Sequence, residues 1–332
     1  MKVELETPPT PEEEVPNEAA FSGFAKYWFD THSVNLKPNT IDAYEVILRN
    51  HLVPFFGDQD LRSISVEQVE AFKSKMVKAG RSPKSVNNYL GVGGRMFHSA
   101  IDWEYADNNP FHRTERLKEP QFDYLIWERE QSDAFLATVM TTEPKWHSFF
   151  LTALRTGMRQ GELFGLQWSD LDFVKKKLHI KRSIRKRRVS TPKNNRFRTV
   201  PMSNQVAEAL RSHRHLRSDW MFTRDDGRPL TRNAIKWPFW RLTAAAGLPR
   251  IRFHDLRHSF ASQLVMAGIP LAGVMELLGH ADIKMTMRNA HLAPSETAKY
   301  IQVLEGAENI WARFGHTQGS APPLVAHKGG LT

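Results

Sequence analysis

The 332-residue chain contains no cysteine. That removes disulfide staples, thiolate catalysis and every cysteine-ligated zinc site at once. No stretch approaches the roughly 20 consecutive apolar residues of a membrane-spanning helix, and the first residues carry glutamates where an export signal needs bases and an apolar run. The expected location is the cytoplasm, with no membrane partner. Tyrosine is scarce too, with six residues at positions 27, 44, 89, 105, 124 and 300.

What the chain has in excess is positive charge. Lys and Arg number 46 against 36 Asp and Glu, a net charge of +10, and 41% of residues are hydrophobic, enough for a folded core. The length suggests about two domains. Residues 1–17 mix Pro8, Pro9, Pro11 and Pro16 with Glu4, Glu6 and Glu12 to Glu14, which reads as a disordered acidic tail. The tail holds −4, so the remainder carries +14. Such a balance points to a polyanionic partner.

Hydrophobic spacing organises the rest as a mainly α chain with a small antiparallel β-sheet. In residues 18–110, Phe21, Phe24, Tyr27 and Trp28, and then Val66, Val69, Phe72 and Met76, recur at helical spacing. Breaks at Pro38, Pro54, Gly57 and the stretch 80–83 delimit a small helical domain. Thr40, Ser65 and either Ser82 or Ser85 are expected to cap its helices. Lys84, Asn87, Asn88 and Arg95 sit on the last of these, and with Thr40 they would face a phosphate backbone or else form an ordinary solvated face. Residues 111–123 are polar and read as a linker.

A second domain is expected over 124–305. It should open with helices over 127–140 and 146–155, followed by one strand on which Leu178, Ile180 and Ile184 alternate. A turn near 192–195 leads to a return strand over 197–202. Helices are expected again at 204–213, 231–246, 253–266, 271–278 and 295–312. The last carries Ile301, Leu304, Ile310 and Trp311, apolar residues that would dock on a neighbouring protomer or on their own domain. Residues 306–332 form a C-terminal segment and loose tail.

The most unusual composition lies between 181 and 198. Lys181, Arg182, Arg185, Lys186, Arg187, Arg188, Lys193, Arg196 and Arg198 occur there without an intervening acid. Phosphate answers that self-repulsion through charge-assisted bonds and counterion release; a solvated hairpin or a localisation run is the plainer reading. Three further groups could act on the same anion. Arg159 follows a Gly turn close to a helix N-terminus, with Glu162 three residues on as a possible structural partner. His254 and Arg257 share a helix face at i, i+3, and His280 follows the end of another helix. A zinc reading of His254 with His258 lacks the glutamate of that motif and would set Arg257 beside a cation.

Taken in order, Thr-Gly-x-Arg-x-x-Glu (156–162), Lys193 in a basic hairpin, His-Asp-Leu-Arg-His (254–258), Leu-Leu-Gly-His (277–280) and Thr-Met-Arg-x-Ala-His (286–291) resemble the tyrosine recombinases, or phage integrases. The resemblance spans about residues 18–305. It implies a helical core-binding (SAM-like) domain and a mixed α/β catalytic domain that clamp double-stranded DNA at a specific site, a homotetramer on paired sites, and a place at the nucleoid. In that family a tyrosine attacks the scissile phosphate and a 5′-hydroxyl later reverses the exchange, so no cofactor or metal is needed. Carried over position by position, Arg159 and Arg257 would neutralise the phosphorane oxygens and His280 would add a hydrogen bond. Lys193 would protonate the leaving 5′-oxygen, and His254 would assist proton transfer.

The departure from the family pattern is Asn289, a carboxamide at the nucleophile position. An amide neither ionises at neutral pH nor forms a stable phosphoester. Tyr300 is eleven residues further on, about 16 Å along a helix. The resemblance therefore implies a site-specific recombinase or integrase without its attacking atom, or a non-cutting DNA-binding member that acts as a repressor or recombinase partner.

Overall fold

Capping and proline placement decide where the helices begin in the computed structural model, which describes residues 20–120, 125–191 and 197–279. The chain divides into two compact units, Met1–Phe122 and Asp123–Thr332. In the first, α1 (Phe21–Ser33) is followed by α2 (Pro38–Ile47), a π-helical turn (Leu48–Leu52) and α3 (Val53–Phe56). The expected cap at Thr40 is not one: Pro38, with its pre-set φ, occupies the first helical turn and moves the boundary back to Lys37. Pro54 cannot donate its backbone nitrogen to the preceding turn, and the wide π turn lies immediately before it.

The remaining caps fall as expected. Ser65 and Gln68 form a reciprocal capping box at the start of α4 (Val66–Lys78), and Ser82 accepts from the Ser85 N–H at the start of α5 (Pro83–Asp102). A short α6 (Pro110–Arg113) closes the unit. Its Phe111 is buried in the aromatic core with Phe21, Phe56, Phe72 and Phe97.

In the second unit α7 (Arg129–Thr142), α8 (His147–Thr156) and α9 (Gln160–Phe164) precede the strands β1 (Leu171–Asp172), β2 (Lys177–Ile180), β3 (Ser183–Arg185), β4 (Arg188–Ser190) and β5 (Arg198–Pro201). Strands β1, β2 and β5 form one antiparallel sheet in that order, with Leu178 opposite Val200 and Ile180 opposite Arg198. Ile184 does not continue the strand of Leu178 and Ile180. It belongs to a separate hairpin, β3–β4, whose two-residue turn is Lys186–Arg187 at φ +48° and +65°. Period-two patterning is blind to this break because both segments bury alternate aliphatic residues.

Helices α10 (Asn204–Ser212), α11 (Arg232–Ala245), α12 (Asp255–Met266) and α13 (Leu271–Leu278) complete the described part. The core of this unit runs from Trp127 and Phe135 through Phe149, Phe150 and Phe239 to Leu178 and Val200. Among the described residues no helix is long and apolar enough to cross a membrane. Lys193, Arg196, His280, Asn289, Tyr300 and both terminal tails lie outside the described residues.

Candidate functional site

Helix α8 ends at Gly157, which holds a left-handed φ of +59°. A Cβ there would sit 2.3 Å from Phe260 and 2.9 Å from Leu278, so only glycine fits. The turn swings the chain into α9 with Arg159 at its N-terminal boundary. Glu162, three residues on and 1% exposed, accepts the Arg159 backbone N–H at 2.8 Å and its guanidinium at 3.0 Å. Both oxygens of Glu162 also accept from Arg198 on β5, at 2.8 Å each. Burial alone would raise the Glu162 pKa, but Arg198 and Arg159 overcome it and hold the carboxyl at about 2.

Arg257 enters the same place from the first turn of α12. It is 4% exposed and donates to the carbonyls of Gly157 at 2.5 Å and Leu278 at 2.6 Å. A second carbonyl at the end of α13, that of Gly279, accepts from Arg159 at 3.2 Å. The negative end of α13 therefore helps hold two guanidinium groups side by side. Burial, with the charges of Arg159 and Arg198 against the opposing pull of Glu162, brings the Arg257 pKa down to about 9.

Two guanidinium groups thus pair with one carboxylate and a third, Arg257, is held by carbonyls close enough to feel their charges, an excess of two positive charges in a partly dehydrated place. Such a centre, here the anion seat, has the charge to take up an anion. His254 stands at the N-terminal boundary of α12, and the loop before it is fixed by Asp255, which accepts the Arg252 N–H at 2.8 Å and its guanidinium at 2.7 Å. Desolvation and then the neighbouring Arg257 lower the His254 pKa, which keeps the imidazole neutral and able to accept a proton near pH 7. Its neighbour His258, at 5.5 Å between rings, is pushed to about 4 by burial and then by His254. Among the described residues no three metal-ligating His, Asp or Glu side chains come together.

The residues expected to face DNA differ in exposure and in partners. Asn87 is buried on α5 and bonded to the backbone of Leu117, because its helix face turns inward. Arg198 is turned into the anion seat by Glu162, and Arg182 is held at 2.7 Å by the buried Asp170, to which Lys181 also lies at 3.4 Å. The acids missing from the 181–198 run are supplied by other elements. Thr40 is half-buried in the first turn of α2. By contrast Lys84, Asn88 and Arg95 share one exposed face of α5, the last bonded to the Tyr44 hydroxyl and lying over its ring. Arg185, Arg187 and Arg188 are exposed at the tip of the β3–β4 hairpin.

The structural Arg159–Glu162 pair that the spacing suggests is present, whereas the sequence assigned no partner to Asp170 or Asp255. Glu162 is signalled only by its spacing from Arg159. Asp170 is announced locally only by its spacing from Gln167, whose N–H it accepts at 3.0 Å, while its cationic partners lie eleven and twelve residues away. A cleft of about 510 Å³ on the outer side of β2 and β5 adds His179, Phe197 and Thr199 to the surroundings of Lys181, Arg182 and Arg198.

The second unit thus gathers Arg159, Arg198 and Arg257 around one buried carboxylate region. Residues 127–296 match the model of the phage integrase family, and residues 20–77 match that of the phage integrase N-terminal SAM-like domain. The chain belongs to the phage integrase family, the site-specific tyrosine recombinases.

Among its relatives, a tyrosine recombinase XerC-like protein of Caldanaerobacter subterraneus subsp. tengcongensis is 26% identical over 83% of this chain and 80% of its own length. The ICEBs1 integrase of Bacillus subtilis is 25% identical over 82% and 79%. The fold is similar to that of the Tn1549 transposon integrase in complex with a circular intermediate DNA, with a TM-score of 0.76 and 22% identity over 86% of this chain and 98% of that one. It is also similar to a lambda integrase tetramer bound to a Holliday junction, with a TM-score of 0.67 and 17% identity over 84% and 78%.

Proposed function

We propose that this chain binds double-stranded DNA at a specific site and seats the scissile phosphate on Arg159 and Arg257, with Arg198 and Glu162 as the frame that holds them. The observation that carries this reading is the pairing of Arg159 and Arg198 with one buried carboxylate, Glu162, beside a third guanidinium, Arg257, that is held by the Gly157 and Leu278 carbonyls. In this reading His254 moves a proton, Lys193 protonates the leaving 5′-oxygen, and His280, next in sequence after Gly279, donates a further hydrogen bond. Assembly as a tetramer on paired sites belongs to the same reading, and the similarity to a lambda integrase tetramer bound to a Holliday junction supports it. Asn289 occupies the nucleophile position, so the pocket holds the phosphodiester without attacking it.

The test is Asn289→Tyr. On a confirmed binding site the Asn289 protein should yield no covalent adduct on a denaturing gel of labelled DNA, and the tyrosine variant should yield one. An adduct with Asn289 in place would mean that another residue attacks. Failure of the variant on a tightly bound site would mean that the anion seat does not activate phosphate. That outcome favours the second reading, which Asn289 itself motivates: a non-cutting family member that occupies sites as a repressor or fills a place in a recombinase tetramer.

A further inference from the structure

The polar segment after residue 110 is tied down along α5. Asn87 acts as its clasp: its side-chain amide donates to the Leu117 carbonyl at 2.9 Å, accepts the Leu117 N–H at 2.9 Å and donates to Glu119 at 3.1 Å. The Asn87 carbonyl also takes the Arg116 guanidinium at 2.5 Å, and Lys73 of α4 holds the Glu115 carbonyl at 3.0 Å. The helix makes room for this strap with Gly93, where a Cβ would lie 2.4 Å from the Phe111 ring. Glycine is less favourable than alanine in a helix interior, a loss that the buried Phe111 offsets.

On the other side the chain is fixed at Trp127, which is fully buried. Its backbone N–H donates to the Ser259 hydroxyl at 2.9 Å and its carbonyl accepts from Gln263 at 3.1 Å. Both partners belong to α12, the helix whose first turn holds Arg257. One fixed end is thus on the helix that exposes Lys84, Asn88 and Arg95, and the other on a helix of the anion seat.

We propose that Asn87 is a positioning residue that sets the length of the connection between the two units, and through it the strength with which both engage one duplex. This rests on the reading of both units as DNA-binding. With the clasp closed, only the seven residues 120–126 lie between the two anchored ends, a reach of roughly 25 Å when fully extended. Without it the next anchor is Arg116, still bonded to the Asn87 main-chain carbonyl, so the connection grows to the ten residues 117–126, and the effective concentration of one unit at the other's stretch of DNA falls with the 3/2 power of length, about 1.7-fold.

The experiment uses the full chain and a 30-base-pair duplex of arbitrary sequence. Asn87→Ala should speed tryptic cleavage after Arg116 or Lys118 at least tenfold and weaken binding about 1.7-fold, with an unchanged dependence on salt. A variant that merely loosened the first unit would lose phosphate contacts and flatten that dependence. In a second protein, with Asn87 kept, six Gly and Ser residues inserted between Pro120 and Gln121 should weaken binding two- to threefold. Unchanged cleavage in Asn87→Ala, or unchanged affinity after the insertion, overturns the proposal. If the unaltered protein fails to bind the duplex, the DNA reading fails instead, and the clasp is then decided by the cleavage rates.

Discussion

Arg198 and Glu162 lie 36 residues apart in sequence and meet through two parallel hydrogen bonds of 2.8 Å, the carboxylate fully buried and the guanidinium nearly so. The pair fixes β5 to α9 and leaves Glu162 free to hold Arg159 as well. Glu162→Gln should therefore cost about 3 to 5 kcal/mol, because the guanidinium groups left behind have no carboxylate. Urea denaturation measures this, and a loss under 1 kcal/mol would show that the arginines find other partners.

Acid should weaken the second unit in two windows. His258, held at about 4 in the fold, is protonated more readily when unfolded, so stability falls as pH drops from about 6.5 towards 4. The Glu162 pKa is depressed to about 2, so its contribution is intact above pH 4.5 and is lost as pH falls from there towards 2. Unfolding midpoints across pH 7 to 3 should show both, and His258→Asn should shrink the upper one, to which His254, His213 and His147 also contribute, while leaving the lower one unchanged.

Gly157→Ala should do more harm than its size suggests. The new methyl group meets Phe260 and Leu278, and the left-handed φ of +59° adds strain. We expect at least 2 kcal/mol of destabilisation by denaturation. Because Arg257 donates to the Gly157 carbonyl, phosphate or DNA affinity should fall with it. A stable variant with unchanged affinity would separate the turn from the anion seat.

The basic residues should divide by partner. Lys84→Ala should lower the slope of log affinity against log salt by about 1 without altering stability, as removal of a phosphate contact does. Arg182→Ala should act on stability, since it takes from buried Asp170 the closer of its two cations. Salt titrations and melting curves of the two variants make the comparison, and an affinity flat with salt in the unaltered protein would refute the electrostatic account.

Lys193→Ala should leave DNA affinity within about twofold, one phosphate contact among many. In the Asn289→Tyr background it should slow adduct formation by roughly 10² to 10³, the usual cost of losing one transition-state donor. Filter binding and a timed denaturing gel measure the two effects. A collapse of binding would make Lys193 a docking residue.

Much of this protein is written locally. Ser65 and Ser82 cap the helices their side chains announce, the aromatic periodicity from Phe21 to Phe97 forms one core, and Arg159, His254 and Arg257 stand in short motifs whose order carries the family resemblance. Each of these depends on residues within a turn or two, where steric and capping preferences act directly. Tertiary structure decided which polar groups keep their contact with water. Asn87 faces inward to a peptide thirty residues away, Arg182 and Arg198 are claimed by acids on other elements, and the basic run breaks at Lys186–Arg187 into a hairpin of its own. A buried charge must find its counter-charge wherever the fold brings one, and that pairing has no signature in the neighbouring sequence.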